Sequence, residues 1–522
     1  MNTQWMGRVA GMSRLTWIRI GVLAAVGALS SCGGGGGDDD GGGGGGLGTG
    51  WTAGIYQPSS NFAGRCVAPR AGSNDRSGSA TDENNFLRSW TNELYLWYRE
   101  VPDLNPAQYT TENYFPLLKT SATTSSGAPK DKFHFTYPTS VWEALSQSGQ
   151  EVSYGVQWAL LATVPPRRAV IAYVEPNSPG TAQGLTRGVE VLTVDGVDLV
   201  NTPTQAGVDT LNNGLFPDTA GESHTFGVRE LNGTTRTVTL TAAVVTSDPV
   251  PTTSVINTAS GPVGYILFND HIATSERKLY DAINTLKAAA VTDLVLDIRY
   301  NGGGFLDIAS ELAYMIAGTT ATAGRTFEQL QFNDKYPNTN PVTGGALTPT
   351  PFHQRSQGFS PTLPNNTLLP TLDLPRVFVL TGSGTCSASE SIINGLRGVG
   401  VQVIQIGNTT CGKPYGFYPK DNCGTTYFSI QFRGVNANNF GDYSDGFTPR
   451  PTPAQQWELP GCAVGDDFTQ ALGNATENRL EAALAYRANG GQCIALATES
   501  ALEGVEGVVP KSPWRTNRIL RE

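Results

Sequence analysis

Histidine is almost missing from this chain of 522 residues: His134, His224, His271 and His353 are the whole complement. That leaves little material for a histidine-based metal site or for a nucleophile that depends on imidazole, and only His271 lies close to a strand-like apolar run. Lysine is scarce too, at nine residues, and no basic block occurs. With a net charge of −10, the chain offers no phosphate footprint, so neither nucleic acid nor an anionic membrane surface is expected as a partner. No CxxC or Cys/His spacing of the zinc type occurs, and no GxxxxGK[ST] loop, so no metal and no nucleotide cofactor is expected. Charged residues make up only 15%, against 39% hydrophobic, with 62 Gly and 32 Pro. This is a globular composition with many turns, and the length suits about three domains.

The apolar run at residues 20–29 is too short to span a bilayer. It follows Arg8, Arg14 and Arg19 and ends in Leu29-Ser30-Ser31-Cys32, which is the layout of a signal peptide over residues 1–32. The ending resembles a bacterial lipobox, which implies lipidation of Cys32 and a membrane-anchored protein of the cell envelope. An ordinary secretory signal with a chance cysteine is the alternative. Residues 33–50 are nearly all glycine with Asp38, Asp39 and Asp40. Such a run cannot fold, and as a tether it would span roughly 20–25 Å. Six cysteines then remain, an even number that suggests disulfides in an exported chain. Local pairing favours Cys411 with Cys423 and Cys462 with Cys493, leaving Cys66 with Cys386.

Residues 51–80 read as loop, completing a non-globular stretch over 33–80. Phe86, Leu87, Trp90, Leu94 and Trp97 recur at helical spacing behind Thr81-Asp82-Glu83, so residues 81–149 are expected to form a small helical cap. Over 150–247 the period changes to short β-rich runs at 169–174, 189–194, 224–228 and 235–240, with one helix near 204–211. Within 248–495, continuous apolar runs at 263–267, 294–298, 376–381 and 401–406 alternate with helical segments at 276–290, 306–316 and 388–396. That alternation predicts an α/β core with a largely parallel sheet covered on both faces. A long loop-like excursion fills 317–374, a last helix is expected at 476–488, and residues 496–522 read as a tail.

Ligand sites on open α/β sheets collect outside the carboxyl ends of strands. Three turns occupy that edge: Asn301-Gly302-Gly303-Gly304, the run ending Cys386-Ser387-Ala388-Ser389-Glu390, and Cys411-Gly412-Lys413. A right-handed crossover between parallel neighbours brings Ser387 and Lys413 together. A serine hydroxyl needs a base, and a buried lysine can become one because burial disfavours its charge. The N–H of Ala388, at a helix start, and that of Gly303 are the expected oxyanion donors. Each feature has a plainer reading. Ser-x-x-Glu is also a helix capping box, a lone lysine is usually a solvated turn residue, and three glycines are a flexible turn. A triad built on His271 is the competing chemistry.

Two resemblances sharpen this. Residues 174–196, with Asn177-Ser178-Pro179-Gly180, Gln183-Gly184-Leu185 and Val194-Asp195-Gly196, resemble a bacterial PDZ domain. That implies capture of polypeptide C-termini, with Tyr154-Gly155-Val156 as the carboxylate-binding loop. The three turns in this order behind such a segment resemble the C-terminal-processing (tail-specific) serine peptidases. The resemblance implies a mixed, largely parallel peptidase core of ClpP/crotonase-like type with an inserted PDZ domain. It also implies Ser387 as nucleophile and Lys413 as base, and Asp445-Gly446-Phe447-Thr448-Pro449 matches the family's late glycine–proline turn. Phe417 departs from the pattern, standing where many members carry a lysine-orienting glutamine. Two alternatives follow: a catalytically inactive peptide-binding lipoprotein, and a purely structural surface protein.

Overall fold

The structure, a computed structural model, describes residues 51–495 and 502–510. The expected signal segment, Cys32 and the glycine-rich tether lie outside the described residues. After a short parallel pairing of Arg65–Cys66 with Arg76–Ser77, the first α-helix is α1 (Ala80–Leu94), which starts two residues earlier than the polar triplet suggests. Ser79 caps it: its side chain accepts the Asp82 N–H at 3.2 Å while Asp82 accepts the Ser79 N–H at 2.9 Å. The cap region is not purely helical. Strand β1 (Phe135–Pro138) pairs antiparallel with a hairpin strand at Thr425–Phe428 before helix α2 (Thr139–Ser148) begins. The N-terminal part is therefore stitched to the far half of the chain.

The next part is a twisted antiparallel sheet. Strands β2 (Val156–Ala162), β3 (Arg168–Val174), β4 (Glu190–Val194), β5 (Ser223–Arg229) and β6 (Thr235–Thr241) lie in the order β6-β5-β4-β3-β2, so β2 is a terminal strand. Helix α3 (Gln205–Leu215), capped by the Thr204 side chain, closes one face with Leu211 packed in a cluster with Trp158, Val194 and Phe226. β2 is missing from the β-rich runs expected from the sequence, although Gly155 and Pro165-Pro166 bracket it.

The third part is a seven-stranded sheet. In chain order its strands are β7 (Thr252–Thr258), β8 (Gly261–Leu267), β9 (Asp293–Asp297), β10 (Arg376–Thr381), β11 (Gln402–Gly407), β12 (Thr448–Arg450) and β13 (Glu458–Ala463), arranged 7-8-9-10-11-13-12. Only the β7–β8 pair is antiparallel. Helices α4 (Ser275–Ala288), α5 (Leu306–Thr322) and α6 (Ala388–Gly398) cover one face, and α7 (Asn478–Ala488) covers the other. Burial on both faces explains why the inner strands β8 to β11 read as largely continuous apolar runs. The expected excursion at 317–374 holds a strand of its own, Thr326–Phe332.

Beneath the glycine turn sits a buried charge cluster. Arg299 binds Asp297 at 2.9 Å, Asp466 at 2.7 Å and Glu477 at 2.6 Å, and all these side chains are nearly or fully inaccessible. Arg187, from the antiparallel part, joins through Asp466 and the Tyr300 hydroxyl, both at 2.7 Å. Removing one member of such a cluster strands the others without compensation, which costs about 3–5 kcal/mol. Arg299→Met is therefore expected to lower the urea midpoint by that equivalent; an unchanged midpoint would refute a supporting role for the cluster.

Candidate functional site

Parallel pairing of β10 with β11, in the register Arg376 opposite Gln402 and Thr381 opposite Gly407, brings the loops after both strands to one edge. The first loop is anchored from below. Thr385 Oγ1 donates to the Ile298 carbonyl at 2.8 Å, and Cys386 N and Ser389 Oγ donate to the Asn301 carbonyl at 3.1 and 3.0 Å. Ser387 then enters α6 with φ 56° and ψ −116°, a backbone state that a non-glycine residue holds only when its surroundings impose it.

What imposes it is Glu390, fully buried one turn into α6. Its Oε2 accepts the N–H of Ser387 at 2.9 Å and the N–H of Lys413 at 2.8 Å. Its Oε1 accepts the Gly412 N–H at 2.9 Å and the Thr410 hydroxyl. The backbone nitrogens of Ser387 and Lys413 thus lie within two hydrogen bonds of each other, through one oxygen. Burial pushes the Glu390 carboxyl above its usual range, and the donors from Thr410, Lys413, Ser387 and Gly412 pull it back. The Ser-x-x-Glu pattern does read as a cap, but the same carboxylate also holds the neighbouring loop.

A disulfide closes the same junction. Cys386 pairs with Cys411 at a Cα–Cα distance of 5.2 Å, and Cys66 pairs with Cys423 at 5.4 Å. This corrects two expected pairings, Cys411 with Cys423 and Cys66 with Cys386; Cys462–Cys493 forms as expected. Short sequence separation misled because the strand edge, not the chain, sets proximity. Cys411 N donates to the Thr385 carbonyl at 2.9 Å, whereas Cys423 sits at the turn of a hairpin that leads back to β1.

Lys413 follows Gly412, where φ is +78° and an added Cβ would meet the Ser444 carbonyl at 2.2 Å, so only glycine fits the turn. The Lys413 side chain is 1% exposed. Burial holds its amine well below the ordinary lysine range, against the opposing attraction of the Asp131 and Glu390 carboxylates. Its Nζ lies 4.0 Å from the Phe417 ring centroid and 5.0 Å from that of Phe133. Phe417 therefore walls the amine where a glutamine would have bonded to it. Asp131 is itself pinned by the Tyr95 hydroxyl at 2.6 Å and the Phe133 N–H at 2.9 Å. Asp131 and Phe133 come from the N-terminal part, and no local signal in the sequence marks them.

The expected oxyanion donors are differently placed. Ala388 is the first residue of α6, and its N–H has no acceptor among the described residues. The Gly303 N–H, in contrast, donates to Asn301 Oδ1 at 2.9 Å. The same Oδ1 is 2.9 Å from His271 Nδ1, and Asn301 Nδ2 reaches the Phe268 carbonyl at 3.0 Å. Asn301 organises the glycine turn, and His271 braces it through a bridge to Gly304. The late turn does meet the lysine loop: Phe447 N donates to Thr410 Oγ1 at 2.8 Å, and Thr410 N to the Phe447 carbonyl at 3.0 Å.

Tyr154, Gly155 and Val156 lie at the start of β2, apart from this edge. Tyr154 is buried, with its hydroxyl on the Gly214 carbonyl at 3.0 Å. The Gly155 N–H donates to Ser153 Oγ at 3.0 Å, and its carbonyl accepts from Glu175 N at 2.7 Å. Two cysteine–glutamate groupings, Cys66/Glu83/Cys423 and Cys386/Glu390/Cys411, have ligand-type atoms close together. Both use cysteines that are already paired, which leaves no thiolate for a metal. Among the described residues, no helix is long and apolar enough to cross a membrane.

Residues 262–416 match the model of peptidase family S41. A carboxyl-terminal-processing protease of Picosynechococcus sp. (strain ATCC 27264 / PCC 7002 / PR-6) is 26% identical over 171 residues, which is 32% of this chain and 39% of that protein. The match thus spans about two fifths of that relative. A solved structure from Bacteroides fragilis NCTC 9343, assigned to the S41 proteases, superposes with a TM-score of 0.57. It is 23% identical and aligns over 78% of this chain and 98% of that one, a likeness of fold.

Proposed function

We propose, on the match of residues 262–416 to the model of peptidase family S41, that the chain is a serine endopeptidase with Ser387 as nucleophile and Lys413 as general base. The observation that supports the reading is the shared Glu390 oxygen, which ties the backbone nitrogens of Ser387 and Lys413 together, beside the burial that disfavours the charged form of the lysine. In the proposed cycle the Lys413 amine takes the proton as Ser387 Oγ attacks the scissile carbonyl. The Ala388 N–H and one from residues 302–304 receive the oxyanion; if that one is Gly303, it must first leave Asn301. Lys413 then protonates the departing amine, and water, deprotonated in turn by Lys413, resolves the ester. The core is read as ClpP/crotonase-like. Residues 150–247 are read as a PDZ domain that receives substrate C-termini near Tyr154, Gly155 and Val156. Cys32 is read as the lipid-bearing residue that keeps the enzyme at the cell envelope.

A phosphonofluoridate tests the central claim. It is expected to modify Ser387 in the wild-type protein, with labelling suppressed in Lys413→Ala. A folded protein that stays unlabelled up to alkaline pH would make the chain a peptide-binding module instead.

A further inference from the structure

Residues 502–510 form a strap that touches three separate parts of the molecule. Glu503–Val505 pairs antiparallel with Asp466–Asp467, beside the buried charge cluster. Glu506 then reaches the turn that leads into Ser387: its carboxylate accepts from Arg479 Nη2 at 2.5 Å and from the Ser383 N–H at 3.4 Å. Two residues further on, Val508 exchanges both backbone hydrogen bonds with Leu160 of β2, at 2.8 and 3.1 Å, in an antiparallel bridge.

β2 is a terminal strand of its sheet, so this bridge lies on an edge where a further strand can add. Exchange of paired backbone hydrogen bonds with an edge strand is how a sheet takes up an extended peptide. The antiparallel sense matters. A peptide added along β2 in the direction of the strap would point its C-terminal end toward residues 154–156. The side chains show what fits: Gly507 lies against Ala159 and Leu161, while Val505 and Val509 pack on the cluster of Ala159, Val170, Ala172 and Phe468.

We propose that the β2 edge is an acceptor for extended polypeptide segments of small and β-branched residues, and that residues 506–510 are its intramolecular occupant, which an incoming segment must displace. This rests on the reading of residues 150–247 as a peptide-binding part, and on no step of the hydrolysis. A tethered strand competes at an effective concentration of order mM, so a free peptide binding with micromolar affinity is held off by the strap. The same displacement would free the Ser383 N–H from Glu506, four positions before Ser387.

The test uses the Ser387→Ala chain, so that binding is read without cleavage and the outcome does not depend on the peptidase reading. A fluorescent synthetic peptide of residues 502–522 is titrated, by anisotropy, against the full chain and against a chain ending at residue 501. Saturable binding to the shortened chain, at least about tenfold tighter than to the full chain, is expected. Equal binding to both, or none to a folded shortened chain, overturns the proposal. Should the shortened chain fail to fold, Val508→Pro in the full chain decides, because it removes the N–H that donates to Leu160. Faster hydrogen exchange at the Leu160 amide and at least about tenfold tighter peptide binding than in the unsubstituted chain support the proposal; unchanged exchange or unchanged binding overturns it.

Discussion

Lys413→Met is expected to lower kcat by about 10²–10⁴-fold, the range for loss of a positioned general base, while making the folded protein more resistant to urea near pH 7. The two effects have one cause. Burial depresses the lysine pKa, so below the unfolded value of about 10.4 the unfolded chain holds a proton that the native site resists. That difference is a cost to the native state at neutral pH. It shrinks as pH rises through the window between the two values and vanishes above the unfolded one. A methionine of similar shape removes the cost, and its stabilising effect should fade toward pH 10.4. Activity has the opposite dependence on the amine: in wild type, kcat/KM should climb from acid pH as Lys413 loses its proton and then level off. Both limbs are readable, one by urea titration at several pH values and the other by a pH–rate profile. An optimum below pH 6, or a Lys413→Met protein less stable than wild type at pH 7, would remove Lys413 from the role of base.

Glu390→Gln should be nearly as damaging, for a different reason. The wild-type carboxylate accepts four donors, from Ser387, Thr410, Gly412 and Lys413, and donates nothing. An amide has one oxygen and one nitrogen, so two of those donors would meet N–H groups at a fully buried position. At about 1–3 kcal/mol for each buried group left unsatisfied, the expected loss of stability is roughly 2–6 kcal/mol. The folded fraction should label slowly at Ser387. Glu390 is a positioning residue here, and the pH profile separates that role from mere scaffolding. Its negative charge favours the protonated lysine, so the variant's residual activity should begin its rise at lower pH than in wild type. A normal labelling rate in Glu390→Gln would mean that the two loops are held together without it.

The sequence carried the scaffold of the site well, for a physical reason. Strands buried on both faces must be apolar throughout, so β8 to β11 stood out, and residues 376–381 match the observed strand end for end. Helix α6 announced itself through Ser387-Ala388-Ser389-Glu390. Less visible were elements whose partners are distant: β7, β12 and β13 are edge or near-edge strands with mixed composition. Two of the three expected disulfide pairings failed on the same point, since loop length along the chain says nothing about which loops share a sheet edge. Asp131 and Phe133 escaped notice because they lie in an unremarkable stretch whose role exists only after β1 joins the hairpin at 425–428. Phe417 looked like a defect against the family pattern, yet in place it is a wall of the lysine's chamber.

That last arrangement bears on how the protein is made. Asp131 and Phe133 leave the ribosome early, Ser387 and Lys413 much later, and the strand at Thr425–Phe428 that draws β1 into place later still. No nascent chain short of residue 428 can enclose the lysine amine as the finished molecule does. Contacts of such long sequence separation also form slowly. Translation order thus leaves the Lys413 amine without its Asp131 and Phe133 surroundings while most of the chain is still being written, so under the proposed mechanism the finished site exists only late in synthesis.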